Sequence, residues 1–141
     1  MRRTIWLAAA IAVAAAAVRA AEKTAPLLPC PPGMSEAACN PSPQNQKDAR
    51  KAFARGLKLQ KSDPAQAYQE FQRAAELAPR NVEYVSAREL VRQQLVTDHI
   101  ERGNAELESG KRIEALADFR SALNLDPANQ FAQGRLRDAL G

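Results

Sequence analysis

Apolar residues recur three and four apart along most of the chain beyond residue 46, the spacing that gives a helix one buried face. Ala49, Ala52, Phe53, Gly56 and Leu57 fit that template over two turns. Extending the same reading predicts helices near 46–61, 64–78, 82–109, 112–125 and 129–140. Punctuation agrees with the period. Asp63-Pro64 reads as an N-cap followed by proline at the first helical position, Pro79 and Pro127 stop two helices, and Asn81 and Asn129 can cap the helices that follow. The third helix is predicted to be long and to carry two stripes in succession, Tyr84/Ala87/Val91/Leu95 and then Val96/Ile100/Gly103/Leu107. Leu95 and Val96 mark the handover, as though its near half and far half packed on different neighbours.

The chain also repeats itself. At a shift of 48 residues, PAQAYQEFQRAAELAPRN (64–81) aligns with RIEALADFRSALNLDPAN (112–129), pairing Ala67/Ala115, Phe71/Phe119, Ala74/Ala122, Leu77/Leu125, Pro79/Pro127 and Asn81/Asn129. An Arg-Gly pair precedes each block, Arg55-Gly56 and Arg102-Gly103, offset by 47 because the first unit is a residue shorter, a difference assigned to the turn Lys61-Ser62-Asp63-Pro64. Each unit therefore reads as helix, tight turn, helix. Glycine inside a helix costs about 1 kcal/mol relative to alanine, so Gly56 and Gly103 imply a neighbour packed against the bare backbone. Fourteen further residues, VEYVSARELVRQQL, separate the units and run without a breaker into the second one. The last helix, NQFAQGRLRDAL, is expected to cap the array with Arg135, Arg137 and Asp138 facing solvent, or else to begin a further unit.

The pattern changes sharply toward the amino terminus. Residues 1–20 have Arg2 and Arg3, a fourteen-residue apolar run from Ile5 to Val18, and Val18-Arg19-Ala20 at the end, the layout of a signal peptide cleaved after Ala20. The other reading is a retained anchor, but crossing a bilayer takes roughly 20 apolar residues. Removing this segment, with its three arginines and no acid, takes the formal charge from +4 to +1. Its loss removes the basis for expecting a nucleic-acid reader. Residues 21–45 hold prolines but no apolar period and are expected to form a disordered linker. Within it Cys30 and Cys39 enclose eight residues, which in an exported protein suggests one disulfide, the alternative being two free thiols. What remains is rich in Ala, Leu, Gln, Arg and Glu, so an all-α domain over 46–141 is expected, two helix-turn-helix units joined by one long helix.

These features together resemble the tetratricopeptide repeat, a unit of about 34 residues with a small residue along its first helix and Ala, aromatic, Ala, Pro along its second. The resemblance rests on Gly56, Ala67, Phe71, Ala74 and Pro79 in unit one (48–81) and on Gly103, Gly110, Ala115, Phe119, Ala122 and Pro127 in unit two (96–129). The phrases NVEYVSARELVRQQLVTDHIERGN and FAQGRLRDAL also resemble the amino-terminal region of bacterial secretin-type outer-membrane proteins of type II secretion and type IV pilus systems. That likeness implies an exported chain, periplasmic or associated with the outer membrane, that holds other envelope proteins and becomes oligomeric if it belongs to a larger pore. The alternative is a stand-alone, monomeric periplasmic adaptor that binds a partner helix or peptide.

No catalytic set stands out. His99 is the one histidine, and Glu106, Glu108, Glu114 and Asp118 lie on predicted helices at the spacing of solvated faces. No enzyme activity, cofactor, metal or small-molecule substrate is expected. Repeat domains of the resembled kind line a concave face with their first helices, and those that clamp a terminal carboxylate place Lys or Arg three residues before the small residue and Asn just after it. Those places hold Phe53 and Leu57 in unit one, Ile100 and Asn104 in unit two. Only Asn104 fits the clamp, so an apolar groove built from Phe53, Leu57, Ile100 and Asn104 is the expected binding site, with simple inter-helix packing as the other role for the same residues.

Overall fold

A computed structural model describes residues 27–141, which form six helices and no strand. The predicted leader, residues 1–20, lies outside the described residues, as does the beginning of the predicted linker. The helices are α1 (Glu36–Cys39), α2 (Pro43–Leu59), α3 (Pro64–Leu77), α4 (Val82–Glu108), α5 (Arg112–Leu125) and α6 (Gln130–Leu140). None of them is long and apolar enough to cross a membrane.

The helix boundaries follow from local chemistry. Ser42, Asp63, Asn81 and Asn129 each accept a hydrogen bond from a backbone N–H in the first turn of α2, α3, α4 and α6. Each thereby satisfies one of the donors a helix start leaves unpaired. Ser42-Pro43 repeats the grammar of Asp63-Pro64, so α2 begins earlier than the apolar period suggested. Ala78 and Asp126, which precede Pro79 and Pro127, leave the helical region at φ −142°. A following proline disfavours helical geometry, which is why α3 and α5 end there.

The turns inside the two units differ in a way the alignment misassigned. In unit one α2 stops at Leu59, three residues past Gly56, and residues 60–63 lead to α3. In unit two α4 runs to Glu108, and only residues 109–111 intervene. The residue missing from unit one is thus taken from the helix and not from the turn. The second turn closes by Gly110 at φ +75°, with Lys111 N–H donating to the Glu106 carbonyl at 2.8 Å and Gly110 N–H to Leu107 at 3.0 Å. This paired closure needs a left-handed residue, which glycine supplies without a Cβ clash.

Packing proceeds in chain order: α2 against α3, α3 against the near half of α4, the far half of α4 against α5, and α5 against α6. The predicted handover within α4 is where the stripes placed it. Tyr84, Ala87, Val91 and Leu95 belong to the clusters around Ala74 and Phe71, whereas Val96 and Ile100 pack with Ala122 and Ala132. At about 1.5 Å per residue the 27 residues of α4 span about 40 Å, so one helix packs on unit one with its near half and supplies the first helix of unit two with its far half.

The expected disordered linker is corrected for residues 27–42. Cys30 and Cys39 are disulfide-bonded, Pro31-Pro32-Gly33-Met34 makes a tight turn with Gly33 at φ +82°, Ser35 caps α1, and Cys39 is fully buried. This strap lies on the turn between α3 and α4. Leu28 N–H donates to the Arg80 carbonyl at 2.8 Å, Arg80 Nε donates to the Leu28 carbonyl at 2.9 Å, and Arg80 Nη1 reaches Asn40 Oδ1 at 3.2 Å. The disulfide brings Leu28 and Asn40 to the same arginine. A closed loop stiffened by proline loses little further entropy when it docks, so a segment without an apolar period can be ordered.

Candidate functional site

Both units are held by the same two-part clasp. A Cβ placed on Gly56 would lie 2.5 Å from Phe71 Cε1, and one on Gly103 would lie 2.7 Å from Phe119 Cε1. Each fully buried ring therefore rests on bare helix backbone. The residue before each glycine is an arginine and the residue before each phenylalanine is an acid. Arg55 Nε and Nη2 donate to the two Glu70 carboxylate oxygens at 2.8 and 2.7 Å, and Arg102 does the same to Asp118 at 3.1 and 2.7 Å. Ring-on-glycine inside and a forked ion pair outside thus lock one register between the helices of each pair.

Of the sequence-selected packing residues, Gly56, Ala67, Phe71, Ala74, Pro79, Gly103, Ala115, Phe119 and Ala122 are buried. Pro127 is exposed and acts by ending α5. The acids Glu70 and Asp118 were missed by the sequence reading as partners. The signal was present in the 48-residue alignment, which pairs them as acids just ahead of the aligned phenylalanines.

Around the second clasp the polar side chains are denser. His99 Nδ1 lies 2.6 Å from Asp118 Oδ1, and Arg102 Nη2 lies 2.7 Å from the same ring nitrogen. A single Nδ1 cannot both donate to the carboxylate and accept from the guanidinium. The ionised Asp118 favours the donating tautomer. Arg102, aided by His99 and opposed by burial, holds the Asp118 carboxyl down to about 2. Glu106 moves the other way, raised by desolvation and by the neighbouring charge of Asp118, and its shielded Oε2 has no hydrogen-bond partner. The Asp118 carboxylate is therefore the charged acceptor of this cluster, and Glu106 is the member whose charged form is disfavoured.

The four residues chosen for a groove are divided between the units. Phe53 is half-buried, its ring 5.4 Å from Phe71 and 4.8 Å from Tyr84, so it bridges the two clusters of unit one. Ile100 is half-buried against Val96, Ala122 and Ala132 in unit two. Asn104 accepts from Arg135 Nε at 2.6 Å. Leu57 alone is open, at 53% exposure. The same arginine corrects the picture of a fully solvated last helix: Arg137 and Asp138 face water, but Arg135 is half-buried, with its guanidinium 5.9 Å from the Phe119 ring centre. The inward turn of Arg135 ties α6 to α4 and α5 together, with a cation–π contribution.

Among the described residues no three or more His, Cys, Asp or Glu side chains are arranged to hold a metal ion. The arrangement is suited to presenting surface from paired helices. Leu57, Leu90 and Ile113 are large apolar side chains left more than half exposed on α2, α4 and α5. No family model matches the chain, and no curated protein matches it.

Proposed function

We propose that this chain is an exported, non-catalytic protein-interaction scaffold built from two tetratricopeptide-type repeats, serving a bacterial envelope secretion or pilus apparatus as a secretin-like amino-terminal module. The observation that carries the scaffold reading is the duplicated clasp. Two helix pairs held by Gly56/Phe71 with Arg55/Glu70 and by Gly103/Phe119 with Arg102/Asp118 make a helical-repeat body whose side-chain chemistry is spent on register. Such a body offers first-helix surface to a partner, and Leu57 is the apolar residue it leaves most open among the four groove positions. The envelope assignment is supported by the leader-like sequence of residues 1–20 and by the Cys30–Cys39 disulfide, which persists in oxidising compartments.

Site-specific photocrosslinking in the native cell envelope tests this reading. A crosslinker at Leu57 should give a discrete adduct with an envelope protein, and one at the exposed Arg120 on α5 should give none. Equal labelling at both positions, or none at Leu57, would remove the first-helix surface from consideration. The intact mass of the native species separates the two envelope readings. A much larger chain beginning with these residues favours the secretin-like module, and a mass matching residues 21–141 favours the stand-alone adaptor.

A further inference from the structure

Between the strap and the turn that joins α3 to α4 lies a cavity of about 370 Å³, within the range of small-molecule sites. Its polar lining consists of Asn40, Gln46, Arg50, Arg80, Asn81 and Tyr84, and no carboxylate is among the described residues that line it. Of the nine other described arginines, five meet acids, and Arg73, Arg112, Arg120 and Arg137 have no ion pair among the described residues. Arg55, Arg88, Arg92, Arg102 and Arg135 each have a carboxylate oxygen within 4.0 Å. Arg80 spends Nε and Nη1 on a carbonyl and an amide oxygen, both neutral, so its charge is not balanced by the strap it anchors. Arg50, exposed on α2, has no ion pair among the described residues. Burial raises the Tyr84 phenol, which keeps it neutral and able to donate. Two cationic and four neutral polar side chains thus line a partly enclosed space.

Tyr84 belongs to the core of unit one, but repeat packing does not require the two arginines. In unit two the positions aligned with Arg50, Arg80 and Tyr84 hold Thr97, Ala128 and Ala132, and that unit keeps its glycine, its buried phenylalanine and its clasp. The cationic lining belongs to unit one alone, where the strap supplies the missing wall.

We propose that this cavity binds a small molecule carrying an oxyanion, a carboxylate or a phosphate, held by the guanidinium groups of Arg50 and Arg80. Charge-assisted hydrogen bonds from guanidinium forks suit either group. The site is separate from the groove positions and does not depend on the scaffold reading.

The test is a titration of the oxidised, isotope-labelled full chain at low ionic strength, followed by amide signals, with succinate and with inorganic phosphate as probes. Saturable shifts confined to Asn40, Asn81 and Tyr84 are expected, and the tighter probe identifies which oxyanion the site prefers. Arg50→Gln should weaken binding by about tenfold, because one charge-assisted contact is lost. Arg50 anchors no described contact, so the Ala115 and Phe119 signals of that variant should stay in place and report an intact fold. Absence of saturable shifts at the three residues with both probes, or shifts unchanged by Arg50→Gln, would overturn the proposal.

Discussion

The two units use one clasp in different surroundings. In unit one Phe71 meets Phe53, which in turn meets Tyr84, and the helix-ending Pro79 is buried beneath the disulfide-closed strap. In unit two Phe119 has Arg135 above its ring in place of an aromatic neighbour, Pro127 is exposed, and the ion pair gains His99 while Glu106 stands beside it as a like charge to Asp118. The repeat specifies how two helices cross, while the residues around each crossing decide how the unit is covered. Unit one is closed by apolar and covalent means, unit two by charge.

The largest test of that contrast is removal of the rings. Phe71→Ala and Phe119→Ala should each lose about 3 to 5 kcal/mol in urea unfolding, with Phe71 the more costly because it also supports the Phe53 stack. Equal losses would mean that the aromatic neighbours add nothing.

Replacing both cysteines with serine should cost about 2 to 3 kcal/mol and should act on one side only. Hydrogen exchange is expected to rise at Ala78, Asn81 and Tyr84 and to stay unchanged at Phe119. Faster exchange in both units would show that the strap stabilises the whole array.

The glycines come next in size. Gly56→Ala and Gly103→Ala gain helix propensity but push a methyl group into a buried ring, for a net loss of about 1 to 2 kcal/mol. Gly56, with the shorter approach of 2.5 Å, should be the worse. A stabilised variant would show that the ring shifts freely.

The charge difference gives an effect no larger than the glycines' and adds a sign. Asp118 falls from 3.8 to about 2 on folding, so its contribution is present above the unfolded value and is lost as pH drops through the folded one. Asp118→Asn should cost about 1 to 2 kcal/mol at neutral pH and should flatten the acid limb of the stability profile. Carboxyl NMR should find Asp118 titrating below Glu70, since Arg102 and His99 both serve the former while Arg55 alone donates to the latter. Glu106 has the opposite sign. Its raised value disfavours the charged form in the fold, so Glu106→Gln should increase stability at neutral pH.

Much of this molecule was legible before its structure was known, and the legible part was periodic. The helices appear near the residues that spacing, caps and prolines marked, and α4 changes partners at Leu95 and Val96 as its two stripes required. Ser42-Pro43 is instructive, because it carries the same start signal as Asp63-Pro64 but sits among prolines with no apolar period, the pattern of a linker. The candidate groove was less legible. A three-residue offset places Phe53 and Ile100 at equivalent positions, but each side chain is drawn into the cluster of its own unit.

By itself the sequence determined what depends on neighbours along the chain: helical type, the caps and prolines that bound most of the helices, the 48-residue duplication, and a glycine in each unit that needs a neighbour packed on its backbone. Only the tertiary structure decided what depends on residues distant in sequence. Arg80 gathers Leu28 and Asn40, Arg135 turns in toward Asn104 and Phe119, and Arg50 comes to share a cavity with Arg80. The physical reason is that periodicity records which face of a helix avoids water. The partner a long charged side chain takes on a surface depends on which distant segment packing brings within about 3 Å of it.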